Sequence, residues 1–583
     1  VTVLRVSGFG GIIPRLGKRL LPDNNAQYAL NAQLFSGELR AWQKPLLLTS
    51  FTMPSPQDVY HYRTNGVDHY VPFAVKTDVV KAPIINDAYG RLYWTNGTAM
   101  YTTTRSDIEA AIAPVQTGVP IPTFGTVPTV VAAGGTPALA ETRVYTAILV
   151  SKYGEEGMPG VASTITASGN SDGTWTIAHL NTIVAPGGNI TTLRLFRTIT
   201  SNNTGVAYRQ VIDWPIGSVP SSYVDNVPAT TLATNHAMQS IDWAMPPTGL
   251  SGLCAGPGGM LAAFSGRTVR FSVPYYPHAW PDAYQLAVVD DIVAIGWVGS
   301  MLVIGTTGRP AVVQGTGPTS LSLQQFSEVL PVLSARSFVV TSMAVLYASL
   351  DGLITISADG VSNTTQAFAA RNDWLSLFSP SSISGAVYQN RYFGFYSSQL
   401  GFSLGFDDAT TGLTDLQYNG VTIIKNSAVD NSAHLLIGNK LYQWDAQQLN
   451  PLLYTWRTKP FVVPKPCNMG VLQVRADFLT SAPTSVTTPP PIVDTGFGVN
   501  EDAVDSIAIN GAGGQDSSLS SDAVSVKIYG DQKLRWAGAV RSEAPIKLPS
   551  GYKATQWEIE LSGNISVFSV VLAGAVSELD SVP

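Results

Sequence analysis

Apolar and polar residues alternate along this chain in many short runs, each closed by Gly, Asn, Asp or Pro. Period-two alternation marks a strand with one buried face, because successive side chains point to opposite sides of a sheet. In DVYHYRTNGVDHYVPFA, beginning at Asp58, two aromatic alternating runs flank Thr64-Asn65-Gly66, the pattern of a tight β-hairpin. RLYWTNGTAMYTTT repeats the arrangement around Thr95-Asn96-Gly97. Two hairpins of one make predict blades.

The meander stops after Thr104 and resumes near Trp243 in MLAAFSGRTVRFSVP, MLVIGTTGRPAVVQG, VLYASLDGLITISADG, RYFGFYSSQLGFSLGFD and HLLIGNKLYQWD. Comparable units recur roughly every 40 to 50 residues, the spacing of propeller blades. In the interruption, Ser106-Asp107-Ile108-Glu109 spells a capping box before Ala110 to Ala113, and Pro114 ends that helix. A Pro/Gly/Thr/Val linker then reaches about Ala138. From Thr142 to Val227, short strands at regular spacing predict an inserted immunoglobulin-like or fibronectin-like sandwich, with Tyr145, Trp175, Leu193, Phe196 and Tyr223 inward. One helix is expected over Thr365 to Phe378, with Phe368, Trp374, Leu375 and Phe378 on its apolar face.

The two ends differ from the middle. Near the start, Leu30, Ala32 and Leu34 alternate with Asn31 and Gln33, Ser36-Gly37 turns the chain, and a single helical turn is expected around Asn25 to Tyr28. After Trp456, MGVLQVRADF predicts a strong strand, residues 481–521 form a Ser/Thr/Pro/Gly/Asp-rich loop, and DAVSVKIYG, KLRWAGAV, TQWEIELSG and ISVFSVVLAG predict four more strands. The chain therefore reads as all-β: a discontinuous β-propeller with an inserted immunoglobulin/fibronectin-like sandwich and a C-terminal β-sandwich-like region. The expected segments are 1–50, a strand and hairpin for adaptor or intersubunit contact; 51–115, the first propeller hairpins; 116–240, linker plus sandwich; 241–460, the remaining propeller; and 461–583, the C-terminal domain with the 481–521 loop.

Composition sharpens this picture. Only 13% of the 583 residues are charged while 45% are apolar, about half the usual charged share. Much of the surface is then neutral or covered by other subunits. A formal charge of -6 argues against a nucleic-acid clamp, since gripping phosphates takes clustered Lys and Arg. Cys254 and Cys467 make neither a disulfide framework nor a zinc pattern, and are read as buried thiols. The sequence has no 18-residue apolar run and no opening basic-then-apolar pattern, so neither a spanning helix nor a signal peptide is expected.

Candidate chemistry is sparse. Gly401-Phe402-Ser403-Leu404-Gly405 matches the nucleophile elbow, but the elbow needs a strand followed by a helix and a downstream acid before its histidine; only His434 follows. A blade strand with a glycine turn is the better reading. Gly11 to Lys18 has five residues between Gly11 and Gly17, contains Pro14 and lacks the hydroxyl residue of a phosphate loop. Asn170-Ser171-Asp172-Gly173-Thr174-Trp175 is similar to the Asp-box of sialidase propellers, yet suits an ordinary turn feeding a core tryptophan. Glu155-Glu156, Asp290-Asp291 and Asp407-Asp408 are read as solvated turn charge, because adjacent strand residues face opposite ways. His61, His69, His179, His236, His278 and His434 show no metal-ligand spacing. No catalytic residue, cofactor site or metal site is assigned, and no enzyme activity is expected.

Several stretches together resemble the tail nozzle (tail tubular protein B) family of short-tailed bacteriophages. They are FGGIIPRLGKRLLPDNNAQYALNAQLFSGELRAWQKP; RVYTAILVSKYGEEGMPG with LRLFRT downstream; and Trp243 through Gly360, with PYYPHAWP at Pro274 to Pro281 and YASLDGL at Tyr347 to Leu353. KPCNMGVLQVRADF and LPSGYKATQWEIELSGNISVFSVVLAGAVSEL follow in the family's order. The resemblance implies a virion structural protein made in the host cytoplasm: a homohexameric ring joined to the head-to-tail adaptor, carrying tail fibres or spikes. Double-stranded DNA passes through its lumen without specific binding, and no small-molecule substrate is implied. The competing reading is a propeller that recognises or cleaves glycan, as a tail spike or sialidase-like receptor-binding protein does.

Overall fold

In a computed structural model of the chain, residues 3–34, 36–110, 123–164, 168–181, 189–201, 205–406, 412–478 and 523–581 are described. These residues are mostly β, in many small antiparallel sheets. Among them the longest α-helix is Arg371–Phe378, and no helix is long and apolar enough to cross a membrane. Contacts divide the chain into two units: Val1–Thr52, Ala348–Ile354 and Ser362–Pro583 in the first, Met53–Tyr347 and Thr355–Val361 in the second.

In the first unit, strands from the two ends of the sequence share sheets. Val3–Val6 runs antiparallel to Val567–Ala573, which pairs on its other side with Val471–Ala476. A second sheet carries Tyr454–Thr458, Ala554–Gly563, Val524–Gly530 and Lys533–Val540. Val524, Val526 and Ile528 alternate with less buried residues and point into one core with Trp456, Trp557, Leu472 and Val570. These are the strands expected after Trp456; the loop at 481–521 lies outside the described residues.

The helical turn expected at Asn25 to Tyr28 is instead strand, Asn25–Leu30. It runs parallel to Gly10–Ile12 and antiparallel to Tyr454–Thr458, with Ala29 opposite Trp456. Long-range pairing decides the local conformation here, because the weak local preference of an Asn-Ala-Gln run cannot outweigh two ladders of hydrogen bonds. Gly10 is required at this crossing: a Cβ there would stand 2.9 Å from the Asn25 side-chain nitrogen and 3.1 Å from the Asn24 carbonyl. The expected Ser36-Gly37 turn is present, with Gly37 at φ 79° and a short Ala32–Gln33/Arg40–Ala41 ladder across it.

Two meanders complete this unit. One runs Ser384–Tyr388, Arg391–Tyr396, Leu400–Gly405 and Leu413–Gln417. The other runs Val421–Asn426, Ala433–Ile437 and Lys440–Pro451, and its fourth strand is Gln43–Ser50. Trp42, Phe393, Phe395, Leu435 and Trp444 fill the core beneath them, with the Trp42 and Phe393 rings edge to face at 5.3 Å. Before them, the expected helix is shorter than predicted. It buries Trp374 and Phe378 but leaves Leu375 38% exposed, correcting that residue's inward assignment.

The second unit opens with the predicted hairpin. Asp58–Thr64 pairs with Val67–Phe73 across Asn65 (φ 50°) and Gly66 (φ 77°), both in the left-handed region that a type I′ turn demands. The second Asn-Gly does not make the same turn: Leu92–Thr95 and Met100–Thr103 are joined by four residues, with Gly97 alone at positive φ among them. The capping box is real but displaced. Thr104 caps Arg105–Glu109 and exchanges hydrogen bonds with Asp107, so the cap is Thr104 and not Ser106. The helical residues expected beyond Ala110 lie outside the described residues.

The inserted module begins earlier than expected. Thr129–Ala133, assigned to the linker, is a strand paired with Thr174–Ala178, which also pairs Ser222–Val224. A second three-stranded sheet holds Tyr145–Ser151, Ile190–Ser201 and Gly205–Pro215. The two sheets share a core containing Tyr145, Trp175 and Leu193, with Tyr223 packed at its margin. Phe196 is buried on the opposite face, with Ile148 and Val150, as strand alternation from Leu193 and Leu195 dictates. Two four-stranded meanders follow, Ser251–Ala255 to Gln285–Ala287 and Ile292–Val298 to Ser322–Gln325.

Candidate functional site

The motifs that suggested chemistry are built as structure. Ser403 lies mid-strand, fully buried, with its hydroxyl 2.5 Å from that of Thr414 on the neighbouring strand. A nucleophile needs an exposed, strained turn, and Ser403 has neither. Asp172 accepts hydrogen bonds from the backbone N–H and hydroxyl of Thr136, and the Trp175 indole donates to the Asn170 carbonyl, so that turn stitches two loops of the module. Asp291 pairs with Arg267 at 2.9 Å, both 61% exposed, which is the solvated turn charge expected. Asp407-Asp408 lies outside the described residues.

Glu155-Glu156 corrects the reading of solvated charge. Gly154, at φ 78°, bends the chain after Tyr145–Ser151 and turns both carboxylates inward. Glu155 receives Arg91 at 2.6 Å; Arg91 is itself buried, reaches Asp87 at 3.0 Å and stacks on the Tyr153 ring at 4.4 Å. Glu156, 5% exposed, takes Arg194 at 3.0 Å, His236 at 2.7 Å and the Gln239 backbone N–H at 3.1 Å. His278 Nε2 donates to the Glu156 carbonyl at 2.9 Å, and its Nδ1 lies 3.9 Å from Glu155. Burial holds the His278 imidazole below its ordinary range, against the pull of Glu155. Every carboxylate here is met by a fixed donor. The cluster clamps the inserted module to the segments around Arg91 and His236 to His278, and such buried pairs are kept only when fully hydrogen-bonded.

Three other histidines make short-range polar contacts. His61 meets Asp68 at 2.8 Å and stacks on Tyr70; His434 meets the Ser432 hydroxyl at 3.0 Å; His179 Nδ1 meets Thr129 at 3.1 Å. Cys254 and Cys467 are free and partly buried, and burial pushes the Cys254 thiol up.

A groove of about 560 Å³ opens in the first unit. Two segments that sequence reading had considered separately, Gly11 to Lys18 and the Leu400–Gly405 strand, line it together with Tyr28, Phe378 and Asp415. Its one lining carboxylate among the described residues is Asp415, in the strand Leu413–Gln417. Burial alone pushes that carboxyl up to about 7. Sequence reasoning passed over Asp415, although an aspartate at a strand interior is a disfavoured placement and therefore a signal.

No protein-family model matches this chain, and no curated protein does. Among solved structures, the computationally designed Ika8 protein is similar at 10% identity, over 69% of this chain and 99% of its own, with a TM-score of 0.28. BBS1N, solved in complex with ARL6DN, is similar at 7% identity over 48% of this chain and 89% of its own, with a TM-score of 0.24.

Proposed function

We propose that this chain is a virion structural protein of the tail-nozzle kind: a discontinuous β-propeller carrying an inserted immunoglobulin-like sandwich and a C-terminal sandwich. Six copies form a ring through which double-stranded DNA leaves, joined to a head-to-tail adaptor and bearing fibres or spikes. The observation that carries the reading is a strand closure. In the other four-stranded meanders the strands are consecutive, whereas beside Lys440–Pro451 the fourth place is filled by Gln43–Ser50, with Leu47 opposite Tyr442. Completing a late sheet with an early strand is how a propeller closes its ring of blades.

Three further features support the proposal. The resemblance to the nozzle family recurs in order along most of the sequence. A 13% charged composition suits a protein that buries much of its surface in neighbours. An acidic, Lys/Arg-poor chain can line a DNA conduit without gripping phosphates. Light scattering on purified protein tests the assembly: the expected mass is six times the 61.9 kDa chain, and a monomeric or trimeric species that degrades glycan contradicts it.

A further inference from the structure

We infer that the groove between the Gly11–Lys18 run and the Leu400–Gly405 strand binds a small organic cation, a protonated amine on an apolar body. The inference goes beyond the nozzle reading and does not depend on it.

Shape and lining give the first argument. At about 560 Å³ the groove falls within the range of small-ligand sites, which pair mostly apolar walls with a few placed polar groups. Its walls include Ile12, Phe378 and Leu416, and around it Leu16, Leu377 and Leu400 stand 37%, 49% and 42% exposed. These side chains offer a hydrocarbon body something to pack against.

Charge gives the second. Among the described residues no hydrogen bond or ion pair reaches the Asp415 carboxyl; Thr414 and Gln417 beside it are bonded elsewhere. A carboxylate among apolar walls without a partner is costly, and an incoming ammonium supplies the missing counter-charge and donors. The other ionisable groups lining the groove are Tyr28, Tyr396 and Lys18. Both tyrosine hydroxyls are pushed above their ordinary range, first by burial and then by Asp415, so neither adds a negative charge to the groove. Lys18 is exposed and makes no ion pair with Asp415 among the described residues. An anionic ligand would meet the carboxylate, which leaves an apolar ammonium as the matching chemistry.

The test uses the full chain and three probes of one length: n-octylammonium, 1-octanol and octanoate, below their micelle concentrations, followed by calorimetry. At about pH 8 the amine is expected to bind about tenfold more tightly than the alcohol, the worth of one charge-assisted contact, and octanoate more weakly than either. Near pH 5, where Asp415 carries its proton, the preference for the amine is lost. Asp415→Asn abolishes the preference at about pH 8 while alcohol binding persists, which also shows the variant folded. Leu377→Ala and Leu400→Ala, at exposed positions, weaken both probes equally. Equal binding of amine and alcohol at about pH 8, a preference that survives Asp415→Asn, or no binding of any probe overturns the inference.

Discussion

Arg91 and Glu155 meet at 2.6 Å across 64 residues of chain, both nearly excluded from water. Removing either charge strands the other. Arg91→Ala is expected to cost about 3–5 kcal/mol, the usual penalty for breaking a buried pair. The double substitution Arg91→Ala/Glu155→Ala should recover the part of that loss due to Glu155, while Asp87, also paired with Arg91, stays stranded. Chemical denaturation of the four members of the cycle checks this, and additive losses would mean that the pair does not clamp the module.

Asp415 gives a pH dependence of known sign. Its folded value of about 7 lies above the ordinary 3.8, so the neutral acid favours the folded state. That contribution is full below pH 4 and is lost as pH rises through about 7, a loss of up to about 4 kcal/mol. Asp415→Asn should therefore raise the melting temperature at about pH 8 and leave it unchanged near pH 4. A variant equally shifted at both pH values would contradict the assignment.

The module boundary can be read from its core. Phe124, Val130 and Leu232 pack with Tyr145, Trp175 and Leu193, yet lie outside residues 142–227. A fragment spanning 123–240 is expected to fold, with native-like near-ultraviolet ellipticity from Trp175. The shorter fragment 142–227 lacks a strand and should not. Folding of both fragments would place the boundary where the sequence pattern first put it.

Ser403→Ala removes one buried hydroxyl bond and leaves Thr414 unsatisfied, at a cost of about 1–2 kcal/mol. A fluorophosphonate probe should not label the native protein. Stoichiometric labelling of Ser403 would restore the hydrolase reading.

Local chemistry was the legible part of this sequence. The Asn65-Gly66 hairpin follows from two residues that tolerate positive φ, and the late strands from Val524 onward follow from strict alternation. What depended on distant partners was not legible. Asn25 to Tyr28 reads as a helical turn because its ladders lie on strands beginning at Gly10 and Tyr454. Thr129–Ala133 passed for linker because its partner is Thr174–Ala178. Glu155-Glu156 was judged by a rule for strands, whereas Gly154 turns the chain just before it and the matching cations are Arg91 and Arg194. Asp415 was overlooked because one acid in an apolar strand forms no motif.

Electron microscopy of the purified protein tests the central proposal most directly. The account predicts a six-fold ring with an axial bore, each protomer contributing a propeller and an outward module at residues 123–240. A monomer, or a three-fold particle without a bore, would contradict it.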